Sequence, residues 1–224
     1  MAKKPDPPEK AVKRRTGKVG EKNTPIKEFP RKNRDKQVLA VAISVMSERG
    51  YSATSIQEVA DRVGVLKGSL YHYFGSKEEL LFRILTESHT ESLSIIEEVS
   101  KLQLPPLQEL CEFLRRSSFW YLKNIERANI YFTETRHLTG DRLIETRLRG
   151  KNFERHIKNL ISNAQNHGQI SSELDVRLAV RFVIGALNNI RSWPSRSGKT
   201  YTDKELVDSF IALICGALGA QEKA

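Results

Sequence analysis

Apolar positions fall along this chain at intervals of three and four, the spacing that lines one face of an α-helix, and no stretch alternates as a strand does. The first such run covers 31–49, with Val38, Leu39, Ala42, Val45 and Met46 on one face and Gly50 as its stop. A shorter run follows, with Ile56, Val59, Ala60 and Val63 on one face; Ser55 and Glu58 fit a capping box at its start. Gly64 comes just after the last apolar position, where left-handed backbone is easiest for glycine. The next helix is expected over 67–73, burying Leu70 and Phe74. Ser76 and Glu79 form a second capping box and open a helix through Leu80, Leu81, Ile84 and Leu85 to about 102, polar from its middle onward. Pro105 and Pro106 break the chain and begin a helix, since proline is tolerated in a first turn. After a break near Asn124 a helix runs to 137, and a long charged one runs from Gly140 to about 167.

The final pair differs in character. Over 175–193, Leu178, Phe182, Gly185, Ala186 and Asn189 share a face. The last helix, opened by a third capping box at Thr202 and Glu205, is apolar almost all round. Such a helix must be covered on every side, and a second copy of the chain is the natural cover. The expected fold is all-α, with about nine helices.

Two short helices joined as tightly as those after Ser55 match the helix-turn-helix unit. The second presents Lys67, Ser69, Tyr71, His72 and Tyr73, a polar-aromatic face that suits a DNA groove better than a core. Charge strengthens that reading through its location. The chain of 224 residues carries a net +10, of which residues 1–36 hold about +8, leaving about +2 for the rest. Three parts are expected: a basic, disordered arm over 1–30, a DNA-binding domain over 31–78, and a ligand-binding and dimerisation domain over 79–220. Cys111 and Cys215 read as small buried hydrophobes in a reducing compartment. The longest apolar run is well short of the ~18 residues that span a bilayer. A cytoplasmic protein with no membrane partner is the expectation. The five histidines lack metal-ligand spacing, and no nucleophile elbow or phosphate-cradling loop is present, so no catalytic residue, metal or cofactor is expected.

The segment GSLYHYFGSKEEL, preceded by ERGYSATSIQEVADRVGV, resembles the DNA-binding domain of the tetracycline-repressor (TetR) family of bacterial regulators, densely over about 34–85. The resemblance implies a homodimer joined through its last two helices and placed on a palindromic operator, with half-sites ~34–36 Å apart. By position in the motif, Lys67, Gly68, Tyr71 and His72 are candidates for the major groove, with Ser69 and Tyr73 on the same short helix. Lys67 suits guanine O6 or N7. The tyrosines offer hydroxyls to phosphate and rings to thymine methyls. Lys77, at a helix N-terminus, is expected on a phosphate, and Ser55 and Gln57 on the DNA backbone.

The same resemblance implies a small-molecule pocket in the body. Phe113, Trp120, Tyr131, Phe132, Phe153 and Phe182 supply candidate walls, and Arg147 and Arg191 candidate anion partners. HGQISSELDVRLAVRFVIG with ALNNIRSWPSRSGKTYTDKEL, which holds Asn188, Arg191 and Trp193, resembles TetR-like regulators that respond to acyl-CoA thioesters. A ligand-responsive repressor released by an acyl-CoA is the expected function. The alternatives are a regulator answering hydrophobic, drug-like compounds, and a constitutive or architectural DNA-binding protein with no inducer.

Overall fold

A computed structural model describes residues 31–193 and 201–220, with side chains from residue 34 onward. The basic arm over 1–30, and Pro194 and Gly198 in the segment after Trp193, lie outside the described residues. Within them the chain is all-α. Its helices are α1 (Arg31–Ala53), α2 (Ile56–Val63), α3 (Lys67–Tyr71), α4 (Lys77–Ser100), α5 (Pro106–Lys123), α6 (Ile125–Glu134), α7 (Gly140–Asn166), α8 (Val176–Asn189) and α9 (Asp203–Ala217). Short 3-10 turns, Thr135–His137 and Ile190–Ser192, extend α6 and α8.

The helix ends follow the capping chemistry, with three departures. Gly50 was expected to stop the first helix, but the chain kinks there (φ 77, ψ 162) and takes one further turn to Ala53. Thr54 donates both its N–H and its hydroxyl to the Gly50 carbonyl, which closes that turn. The helix expected over 67–73 ends at Tyr71, because His72 and Tyr73 switch to the tighter bonding pattern, donating to Ser69 and Leu70. Of the three capping boxes only Thr202 with Glu205 closes reciprocally. Ser55 and Ser76 each accept from the backbone N–H three residues on. Their glutamates go elsewhere, Glu58 to Arg62 and Glu79 to the N–H of Gly75. Gly64 does adopt the left-handed conformation (φ 77, ψ 38), and its N–H and that of Val65 both reach the Ala60 carbonyl.

Two apolar cores result. One holds α1 to α3 against the start of α4 through Val38, Val45, Met46, Val59, Leu70 and Leu81. It also takes Ile130 from α6 and Leu138 from the segment after it, so the head is seated on the body by packing. The other joins the end of α4 to α5, α7, α8 and α9 around Phe113, Leu114, Ile161, Val183 and Phe210. Helix α4 passes from the first core to the second without a break. Cys111 and Cys215, read as independent buried hydrophobes, are only half-buried and lie in contact between α5 and α9, Sγ to Sγ 3.1 Å.

Candidate functional site

The candidate DNA-facing surface is built by the tight link between α2 and α3. Arg62 reaches both carboxylate oxygens of Glu48 (2.9 and 2.8 Å) and also Glu58, which fixes α2 against α1. The Arg62 guanidinium, with Ser44, holds the Glu48 carboxyl down to about 2. Leu70 and Phe74 anchor the far side of α3 in the core. That leaves Lys67, Gly68, Tyr71 and His72 exposed on one surface, while Ser69 and Tyr73 are half-buried. A Cβ added at Gly68 would meet nothing within 4 Å, so the open backbone there faces solvent.

Three expected contacts have other engagements. Lys77 donates to the Ser52 carbonyl (3.1 Å) and lies 4.4 Å from the centre of the Tyr51 ring; burial lowers its pKa. It therefore ties the start of α4 to the end of α1. The Gln57 amide donates to Asp61 (2.7 Å), and the Ser55 hydroxyl oxygen caps α2 while its proton stays available. Sequence reading passed over Leu66, which begins α3 and is 81% exposed. Leu66 lies three residues after Val63 and so continues the apolar spacing of α2; only the end of α2 at Gly64, before that position is reached, separates it from a core leucine.

A cavity of ≈ 210 Å³ opens in the body between α4, α5, α6, α7 and α8. Of the expected pocket residues, Trp120, Tyr131, Phe132, Phe153 and Asn188 line it. The other five do not. Phe113 is fully buried in the core, edge-on to His156 and tilted against Phe153. Phe182 is 49% exposed on the outer face of α8. Arg147 is exposed on α7, and Trp193 packs edge-on against Phe210. Arg191 stands behind the wall: it donates to Asn129 (2.7 Å) and to the Asn188 carbonyl, with its guanidinium 4.9 Å from the Phe132 ring centre.

The missed lining residues are mostly small or polar. Helix α4 contributes Ser88, His89, Ser92 and Ile95, from the half that reads as polar. Helix α5 adds Ser117 and Tyr121, and α7 adds Gly150 and Glu154. The lining is largely uncharged: burial and the nearby Arg149 lower the His89 pKa, which favours a neutral ring. Burial pushes the hydroxyls of Tyr121 and Tyr131 up. An apolar cavity with a few hydroxyls suits an uncharged chain and cannot solvate a phosphate.

Cavity and head are mechanically joined. The Trp120 ring N–H donates to Glu91 on α4 (2.6 Å), and Arg127 on α6 donates both terminal nitrogens to the same carboxylate (3.0 Å each). At the head end, the Thr139 N–H donates to Glu78 (2.7 Å), and Tyr51 stacks on His137 with ring centres 4.7 Å apart. Among the described residues no group of His, Cys, Asp and Glu is placed to hold a metal, and no helix is long and apolar enough to cross a membrane.

Residues 38–84 match the family model for bacterial regulatory proteins of the tetR family, and residues 103–218 that for the tetracyclin repressor-like C-terminal domain. The chain is 26% identical over 188 residues to the HTH-type transcriptional repressor KstR2 of Mycobacterium tuberculosis, covering 81% of this chain and 91% of that one. The structure of KstR2 superposes with a TM-score of 0.77 at 25% identity, covering 84% of this chain and 96% of that one. The fatty acid metabolism regulator protein of Bacillus subtilis is 23% identical over 185 residues, 81% of this chain and 94% of that one. AibR, solved in complex with isovaleryl coenzyme A and operator DNA, superposes with a TM-score of 0.69 at 25% identity, covering 80% of this chain and 97% of that one.

Proposed function

We propose that this chain, which belongs to the TetR family of bacterial regulatory proteins, is a homodimeric repressor of transcription, released from a palindromic operator by an acyl-CoA thioester. The observation that carries the reading is the exposed face of α3, held outward by a rigid head. A head over 31–78 reads DNA, a body over 79–220 senses and dimerises, and the basic arm over 1–30 adds affinity without sequence preference. The site of action is the cytoplasm, where the operator is.

Dimerisation is supported by two exposed apolar stripes. On α8, Leu178 is 63% exposed, and Phe182 and Gly185 continue its row. On α9, Leu213 is 64% exposed, flanked by Ser209, Ala212, Gly216 and Ala217. Apolar surface of this kind, with small residues that permit close approach, is what a second copy would cover. Release follows from the path of α4. A ligand filling the cavity presses on Ser88, His89, Ser92 and Ile95, and the same helix begins in the head at Lys77. Displacing α4 turns each head, and the spacing of the two reading helices no longer fits one face of the duplex. The thioester class is supported by the largely apolar cavity and by the isovaleryl coenzyme A bound to AibR.

Footprinting of the full-length protein on its own promoter region tests the reading. One protected palindrome is expected, with protection lost on adding short- or medium-chain acyl-CoAs and kept with the free acids. Release by hydrophobic cations alone would favour the drug-responsive alternative, and uniform coating of DNA would leave an architectural binder. The variant Ser92→Asp, which places a charge in the largely apolar lining without filling it, is expected to keep the footprint and lose the release.

A further inference from the structure

The cavity is too small to enclose a whole CoA thioester. At ≈ 210 Å³ it lies below the range of ~300–1,000 Å³ usual for sites that engulf a drug-sized ligand. The nucleotide end of such a ligand, with its phosphates, has to lie elsewhere. A second concavity of ≈ 350 Å³ follows the seam between α7 and α8, and Glu154 lines both. Lys151, Arg155 and Lys158 face it from successive turns of α7, and Arg177 and Arg181 from α8. Five cations gather here although the chain outside residues 1–36 carries only about +2.

These cations are largely uncommitted. Arg177 pairs with Asp175 at 2.9 Å, and Arg155 donates to the neutral amide oxygen of Asn152. Among the described residues, Lys151, Arg155, Lys158 and Arg181 have no carboxylate within ion-pair reach. Ile184, which lines the cavity, and Arg177 are seven residues apart on one helix, or about 10 Å along its axis. That gap suits the uncharged arm of a CoA, which separates the acyl group from the phosphates.

We propose that the basic groove between α7 and α8 holds the phosphates of the nucleotide end of a CoA thioester whose acyl end occupies the cavity. This rests on the thioester reading given above. Arg155 and Arg181 supply planar forks that match phosphate, and Lys151 and Lys158 supply point charges. Glu154, at the junction, accepts from amide N–H groups of the arm and repels phosphate, which sets the boundary between the two parts.

Direct binding of octanoyl-CoA and octanoyl-pantetheine to the full chain tests this, since the second probe lacks the nucleotide. The wild-type protein is expected to prefer octanoyl-CoA by at least about tenfold, the effect of one hydrogen bond to a charged group. That preference should shrink with added salt. Arg155→Ala with Arg181→Ala should abolish it while leaving octanoyl-pantetheine binding and ligand-free operator binding unchanged. Glu154→Gln should tighten octanoyl-CoA. If wild type binds both probes equally, or the double variant binds octanoyl-CoA as wild type does, the groove assignment is overturned and the thioester reading stands. If neither probe binds wild type, both fall together.

Discussion

Leu66 and Lys67 sit side by side at the start of α3, both exposed, and they offer two different chemistries to a DNA groove. Lys67 is an exposed cation, the chemistry that the proposed function would use on guanine edges, whereas Leu66 offers only apolar contact, which in the major groove means a thymine methyl. Lys67→Ala is expected to cost about 1–3 kcal/mol of operator affinity and to relax preference at one base pair. Leu66→Ala should weaken operators that carry thymine opposite it and leave others unchanged. Anisotropy titrations over single-base operator variants check both; a uniform loss across all variants would show that neither residue reads sequence. Lys77 belongs to another class. Its ammonium bonds the Ser52 carbonyl over the Tyr51 ring, so Lys77→Ala is expected to lower the melting temperature as well as DNA affinity. A variant with unaltered melting and reduced salt dependence would return Lys77 to a pure phosphate contact. Sequence identified the cation but not its partner, because Ser52 and Lys77 meet only when α1 and α4 pack.

At the scale of elements, Gly50 sets the kink near the end of α1, and α4 runs unbroken from the head to the cavity wall. Gly50 holds φ 77 and ψ 162, backbone that a residue with a Cβ rarely adopts, and an added Cβ would meet only Glu134 at an ordinary 3.7 Å. The cost of Gly50→Ala is therefore backbone strain, about 1–3 kcal/mol, measurable by urea denaturation. Equal stability would mean that the kink had relaxed into a straight helix. Helix existence was readable throughout, because apolar spacing and caps are local. Helix ends were less so. Whether Glu79 closes onto Ser76 or onto Gly75, and whether α3 runs to Tyr71 or Tyr73, depends on competing partners a residue or two apart. The cavity wall on α4 was the larger omission. Ser88, His89 and Ser92 carry the same polar signature on a solvated face as they do around a pocket.

Across the whole molecule, the proposed repression requires two heads held at one spacing, so the proposed dimer face and the reading face would be coupled through the body. Leu213→Glu places a charge on the exposed stripe of α9 and leaves the core side, Phe210 and Ile214, intact. It is expected to give a folded monomer by light scattering, with operator affinity reduced at least about a hundredfold because each half-site is then bound alone. A dimer that survives the substitution would move the interface away from α9. What the chain determined by itself was the all-α class, the helix-turn-helix and the family, since helical spacing, capping residues and a motif are written within a few turns of sequence. Tertiary packing alone decided which aromatics wall the cavity. Phe113 and Phe153 are equally apolar, yet one fills the core and the other borders the void. It also brought five cations from α7 and α8 to one seam. Neither outcome is local: each depends on how separate helices are rotated and brought face to face, which periodicity along a single helix does not encode.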